Sequence, residues 1–215
     1  ISKEHIDDVI ITSVVPKVMH SCINGVIKFF GINPIIVRPG LKSGISVQLE
    51  SPKSVGADRI ADCAGAFHHY GGPVLVIDFG TATTYDYVDE NGCFKAGVIS
   101  VGIETGANAL WSQAAQLPEI EIKKPKTILQ RNTQSEMEAG IFYQYLGGVE
   151  YTIRQFMRET GRKDMKVIAT GGLGRVINNH TPLIDTYDPD LIFKGLNIIY
   201  KKNKDEKKSI ARPYN

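Results

Sequence analysis

The chain has 215 residues, with 25 Lys+Arg against 23 Asp+Glu, and is 42% hydrophobic and 22% charged. That length can bury a core in one large or two small domains, and the composition is that of a globular protein. A formal net charge of +2 gives no case for nucleic-acid or membrane partners, and no apolar run approaches the roughly 20 residues that span a bilayer, so a cytoplasmic protein is expected. Cys22, Cys63 and Cys93 are scattered without C-x-x-C spacing and indicate neither a zinc site nor a disulfide framework.

In chain order, residues 8–15 read as a strand, and Pro16 opens a helix with Val18, Cys22, Val26 and Phe29/Phe30 at helical spacing. A second strand at 34–37 is closed by Arg38-Pro39-Gly40, and 54–70 reads as a helix with Ile60, Ala64 and Phe67 on one side. Gly71-Gly72-Pro73 then bounds a short β-branched run, Val74-Leu75-Val76-Ile77, which has the pattern of a buried strand. Residues 85–88 alternate like its partner, Asp89-Glu90-Asn91-Gly92 supplies a hairpin-type turn, and 91–101 is a further strand. Helices are expected at 106–117 and 136–160, a strand at 166–170 running into Gly171-Gly172-Leu173-Gly174, and a last helix at 190–202. The mixed-sign run at 201–208 reads as a frayed, solvated end. Alternating strands and helices argue for an α/β protein, with domains at 1–72 and 73–203 and a tail at 204–215.

Several stretches carry chemistry. Asp78-Phe79-Gly80-Thr81-Ala82-Thr83-Thr84 places a carboxylate at the end of a buried strand, then a glycine and threonines, which suits a turn holding phosphates and a cation. Thr81, Thr83 and Thr84 are candidate hydroxyl donors. Val55-Gly56-Ala57-Asp58-Arg59 stands at a helix start, where the dipole favours an acid and Gly56 permits close approach; the plain alternative is a first-turn acid beside a surface charge. Thr133 and Glu136 have capping-box spacing before an amphipathic helix. The glycines at 171–174 suit either a tight turn or a backbone bed for a nucleotide base.

Strand, D-x-G-T, strand resembles the phosphate-gripping hairpin of the actin, sugar-kinase and heat-shock-ATPase superfamily. The G-A-D-R helix start, D-F-G-T-A-T-T, Ala114-Ala115-Gln116-Leu117-Pro118, the N-T at 132–133, A-T-G-G-L and D-P-D-L-x-x-x-G-L, taken in that order, resemble type III pantothenate kinase along essentially the whole chain up to Asn203. Thr12-Ser13-Val14-Val15-Pro16 is similar to the family's S-V-V-P strand–helix junction. The resemblance implies two ribonuclease-H-like domains and ATP-dependent phosphorylation of pantothenate to 4'-phosphopantothenate, the first step of coenzyme A biosynthesis. By it, Asp58 is the proton acceptor, and Gly56, Ala57, Asp58 and Arg59 bind pantothenate. It makes Asp78 the ligand for a monovalent cation (potassium or ammonium), Thr81 an ATP-binding hydroxyl, and Thr133 a pantothenate contact completed across a homodimer interface. Mg²⁺ is expected with ATP.

The residue types suit these roles. A carboxylate accepts the hydroxyl proton as the bond to phosphorus forms, Asp78 is a hard oxygen donor, and Arg59 is suited to a bidentate pair with a carboxylate or phosphate.

Two departures stand out. The family's first phosphate motif, an Asp-x-Gly-Asn-Thr hairpin that contacts ATP phosphates and Mg²⁺, has no counterpart here, and the first half starts directly at a strand–helix unit. A first domain lacking its N-terminal hairpin is therefore expected. Leu49 stands where a substrate-contacting tyrosine is common, which removes a hydroxyl.

The D-F-G tripeptide has no H-R-D loop or V-A-I-K strand beside it, which excludes a protein kinase, and no G-x-x-x-x-G-K-[ST] is present. The alternative in another class is a non-catalytic relative acting as a transcription accessory factor. Retention of Asp58, Arg59, Asp78, Thr81 and Thr133 together argues against it. The stripe Ile141, Tyr145, Val149, Ile153 exceeds what one small domain face needs, so a homodimer packed through the 136–160 helix is expected, with Thr133 near the partner's Asp58.

Overall fold

The computed structural model describes residues 6–13, 15–38 and 40–210. In order they form β1 (Ile10–Ile11), α1 (Pro16–Phe30), β2 (Ile35–Ile36), β3 (Ser46–Val47), α2 (Ala57–Tyr70), β4 (Val74–Phe79), β5 (Ala82–Val88) and β6 (Cys93–Val101). Then come α3 (Ile103–Gln113), α4 (Thr133–Thr160), β7 (Lys166–Thr170), α5 (Gly174–Asn178), β8 (Thr186–Tyr187) and α6 (Leu191–Ile210). The strands β1 and β2 form a small parallel pair. The other six form one mixed sheet in the order β3-β6-β5-β4-β7-β8, in which β4, β5 and β6 are antiparallel neighbours and the remaining pairings are parallel. The α/β class is therefore as the alternation of elements predicts.

The run Val74-Leu75-Val76-Ile77 is apolar throughout because β4 is central and covered on both faces. Leu75, Ile77 and Phe79 pack with Phe142, Val149 and Ile153 of α4, while Val74 and Val76 pack with Ile60, Cys63 and Ala66 of α2. The sheet thus separates an α4 face from an α2 face.

Local chemistry sets most element boundaries. Pro16 begins α1, and Gly31 ends it in the left-handed region, its N–H bonded to Ile27 O at 2.9 Å. Of the stripe read along this helix, Val18 and Phe29 are 51% and 54% exposed. At the β5–β6 hairpin, Asp89 Oδ1 accepts from the N–H groups of Asn91 and Cys93, and Gly92 takes positive φ.

Some expectations are corrected. The 54–70 helix divides into a 3-10 turn at Pro52–Ser54 and α2 from Ala57, because Val55 and Gly56 are extended. The helix expected at 106–117 runs from Ile103 to Gln113, starting directly after the extended Gly102. The cap of α4 is Asn132, not Thr133: Asn132 Oδ1 accepts from Ser135 N at 3.0 Å, and Thr133 is already the first helical residue. The 8–15 strand is paired only at Ile10–Ile11; Val14 lies outside the described residues. The α4 stripe serves this chain's own core, with Val149 and Ile153 buried and Ile141 and Tyr145 packed beside them. Among the described residues no helix is long and apolar enough to cross a membrane.

Candidate active site

The N-terminus of α2 meets the α2 face of the sheet at the ends of β4 and β5. Gly56 is the extended cap residue, and Ala57, Asp58 and Arg59 make the first turn. The helix dipole favours the Asp58 carboxylate, which accepts from Arg59 N at 2.8 Å. The Arg59 side chain crosses to β5 and grips Asp86 with a fork: Nε lies 3.1 Å from both carboxylate oxygens, and Nη2 bonds Oδ1. Asp86 is 1% exposed, so this is a buried bidentate pair, with Phe94 stacked beneath the guanidinium at 5.5 Å. Burial works against the charge on Arg59, but the hydrogen bond and charge of Asp86 outweigh it and leave the guanidinium pKa raised. Gly97 stands opposite Asp86 on β6, and a Cβ there would run into Arg59 Nη2. The fork of Arg59 is thus spent within the chain, and Nη1 is the nitrogen left without a bond to Asp86.

Asp78 is the penultimate residue of β4, with Gly171 of the β7–α5 turn against it. Gly171 has φ +88, and a Cβ there would strike Asp78 Oδ1. The turn after Asp78 is tightened by Gly80 N to Ala82 O at 3.1 Å, and Thr81 O accepts from Gly102 N at 3.2 Å and Thr105 Oγ1 at 2.7 Å. The start of α3 therefore braces the turn from behind and leaves Thr81 exposed. Strand alternation sorts the other two threonines. Thr84 shares the face of Asp78 and Asp86, its hydroxyl 3.4 Å from Asp86 Oδ2. Thr83 is buried on the α4 face against Tyr145 OH, so its expected role as a donor at the turn is corrected. On that same α4 face a cavity of about 420 Å³ is lined by Tyr85, Ser100, Ile103, Leu110 and Tyr145, separate from the carboxylates.

Four acids influence one another around the head of α2. Burial, then the charges of Asp58 and Asp86, push the Asp78 carboxyl up to about 6. Asp62, one turn after Asp58, is 3% exposed. Burial, then Asp78, Asp58, Asp86 and Asp188, push it up to about 8. Its Oδ1 is buried without a hydrogen-bond partner. Asp62 and Asp86 are absent from the sequence reading. Spacing offered signals for both: Asp62 is four residues after Asp58 on the same helix face, and Asp86 is two after Thr84 on the same strand face.

Thr133 is exposed on the first turn of α4 and has no hydrogen bond to this cluster. Leu49 is half-buried against the apolar group containing Val55, Ile60 and Phe94. The D-P-D-L stretch is a joint: Asp188 Oδ2 accepts from Tyr70 OH at 2.7 Å and Lys194 Nζ at 2.6 Å, tying α2 to α6.

A family model, type III pantothenate kinase, matches residues 1–155. The chain belongs to the type III pantothenate kinase family. It is 61% identical over 198 residues to the type III pantothenate kinase of Bifidobacterium longum strain DJO10A, covering 92% of this chain and 77% of that protein. It is 55% identical over 202 residues to that of Agathobacter rectalis, covering 94% and 78%. Among solved structures it resembles a conserved protein from Campylobacter jejuni described as a Baf family transcriptional activator, with TM-score 0.62 and 22% identity over 94% of this chain and 87% of that one. Likeness at that identity speaks to the fold alone and lends no weight to a transcriptional role. The first turn of α2 at 57–59 and the side chains of Asp78 and Thr84 thus meet on the α2 face of the sheet, with Asp86 and Asp62 beside them.

Proposed function

We propose that this protein transfers the γ-phosphoryl group of ATP to the primary hydroxyl of pantothenate, giving 4'-phosphopantothenate and ADP. The observation that carries this reading is that Asp58, in the first turn of α2, lies near enough to Asp78, beside the Gly80–Thr81 turn, for its charge to help raise the Asp78 carboxyl. Asp58 takes the hydroxyl proton as the alcohol oxygen forms its bond to phosphorus and the bond to the β-phosphate oxygen breaks. Thr81 offers its exposed hydroxyl to the phosphates, at a turn held in shape by the bond from Gly80 N to Ala82 O. Gly56 and Ala57 bring backbone close to pantothenate, and Arg59, held by Asp86, presents Nη1 and fixes the first turn of α2.

Asp78 is suited to hold a monovalent cation, potassium or ammonium. Its carboxylate stands near the end of a strand among other acids, the neighbouring Asp62 has an orphaned buried oxygen, and Gly171 keeps the space beside Asp78 clear of a side chain. Such a cation supplies positive charge beside the phosphates. Mg²⁺ is expected to arrive with ATP.

We read the architecture as two ribonuclease-H-like domains of the actin-like ATPase superfamily dividing near Gly71–Gly72, in a cytoplasmic homodimer that sets Thr133 near the partner's Asp58. The exposed position of Thr133, with no partner at the cluster in its own chain, supports that last element. The test is a coupled ADP-release assay on the protein. ADP release that rises with pantothenate and requires potassium or ammonium is expected; release independent of pantothenate would overturn the reading.

A further inference from the structure

The last rung of the β4–β5 ladder pairs Phe79 with Thr83, so the chain between them, Gly80 to Ala82, is the whole of the turn that carries Thr81. One side chain of α4 meets both ends of that rung. The Tyr145 ring lies 6.1 Å from the Phe79 ring, centroid to centroid, and the Tyr145 hydroxyl is bonded to Thr83 Oγ1. Thr83 is fully buried, so water cannot replace Tyr145 as its partner.

The same phenolic oxygen accepts from Ile103 N–H. Ile103 is the first residue of α3 and is buried, and the cap residue before it, Gly102, has no side chain to satisfy a donor at the helix start. Tyr145 supplies the acceptor that α3 lacks. The start of α3 in turn holds Thr81: Gly102 N and Thr105 Oγ1 both donate to Thr81 O, and a Cβ on Gly102 would strike Gly80 O and Thr81 O. Both routes from Tyr145, through Thr83 and through Ile103, thus end on the same three-residue turn. Core packing alone does not require this hydroxyl, since phenylalanine would fill the same space against Phe79.

We infer that Tyr145 is a positioning residue for the nucleotide: from the far side of the sheet it fixes the turn in the shape that offers the Thr81 hydroxyl to the phosphates of ATP. It acts through Thr83 and Ile103, and the assignment rests on the pantothenate kinase reading above. Without the hydroxyl the turn is in place for only a fraction of the time, and the apparent affinity for ATP falls by that fraction.

The experiment measures binding of ATP with Mg²⁺ by calorimetry, pantothenate omitted, and the KM of each substrate in the ADP-release assay. It compares wild type with Tyr145→Phe, Thr83→Val, the conservative Thr83→Ser and the control Tyr151→Phe, Tyr151 being an exposed tyrosine of the same helix. Tyr145→Phe and Thr83→Val are expected to raise the Kd and KM for ATP by about tenfold, with the KM for pantothenate nearly unchanged. Thr83→Ser and Tyr151→Phe should match wild type. Joining Tyr145→Phe to Thr83→Val should add little, because both remove the same bond. If Tyr145→Phe does not fold, Thr83→Val against Thr83→Ser decides the question. Variants that lose thermal stability yet bind ATP as wild type does would overturn the inference, by making Tyr145 a core contact only. A KM for pantothenate that rises as far as that for ATP would also overturn it. The tenfold loss of ATP binding in a protein that phosphorylates no pantothenate would uphold this inference and bring down the kinase reading; wild type that binds no ATP would overturn both.

Discussion

Gly65 on α2 and Gly195 on α6 each face a backbone carbonyl of the other helix. A Cβ on Gly65 would lie 2.6 Å from Leu191 O, and one on Gly195 would run into Ala61 O. Leu191 is one helical turn before Gly195, and Ala61 one turn before Gly65, so the contact is reciprocal, as about a local two-fold axis. Asp58 and Asp62 ride on one of these helices, so this crossing sets how deeply they sit over the sheet.

Gly195→Ala is therefore expected to destabilise the fold by about 1–3 kcal/mol, because one added methyl overpacks a backbone-to-backbone contact. Gly140→Ala on α4 is the matched control: its Cβ meets nothing within 4 Å, and alanine raises helix propensity, so a gain of up to about 1 kcal/mol is expected. Urea denaturation of the two variants checks the contrast, and equal effects would count against the close crossing.

The Arg59–Asp86 pair makes a second prediction. Arg59→Ala leaves a buried carboxylate without its partner and should cost about 3–5 kcal/mol in stability. Arg59→Lys should recover only part of that loss, since an ammonium cannot reproduce the fork. Thermal and urea unfolding of both variants decide it, and full recovery by lysine would show that the fork geometry is unimportant.

Asp62 gives a pH prediction. Its carboxyl is raised in the fold from an ordinary 3.8 to about 8, so the folded chain holds that proton more tightly than the unfolded one. The sign follows: stability is greatest below the unfolded value, falls as pH rises, and levels off above about 8. Asp78 reaches only about 6 and has finished its share by then, which leaves Asp62 to act between pH 6 and 8. In buffer without potassium or ammonium, Asp62→Asn should flatten the fall across that window and raise stability at pH 8 by about 1–3 kcal/mol. An unchanged slope would show that Asp62 is not the group responsible.

Much of this was legible in the residues themselves. The Val74 strand and its Asp-x-Gly-Thr turn, the Asp89–Gly92 hairpin and the 166–170 strand all follow from runs of apolar residues punctuated by glycine and aspartate. The two-residue strands β3 and β8 were not legible, because they are too short to show a period and exist only through pairing with β6 and β7. The candidate site was half legible. Asp58 and Asp78 stand in motifs, whereas Asp86 and Asp62 matter through packing: one neutralises Arg59 across the sheet, and the other is hemmed in by acids that come together only when α2 lies over β4. In the D-P-D-L-x-x-x-G-L stretch, Asp188, Leu191 and Gly195 build the α2–α6 crossing.

The central claim is that Asp58 activates the pantothenate hydroxyl, and the most direct test is phosphorus NMR of ATP and pantothenate with wild-type and Asp58→Asn protein. Asparagine keeps the shape of Asp58 and removes the proton acceptor. Wild type should build a phosphomonoester resonance as the γ-phosphate signal falls, while Asp58→Asn builds it at least about a hundredfold more slowly, with the KM for ATP nearly unchanged. An Asp58→Asn enzyme that forms the phosphomonoester at the wild-type rate would contradict the account.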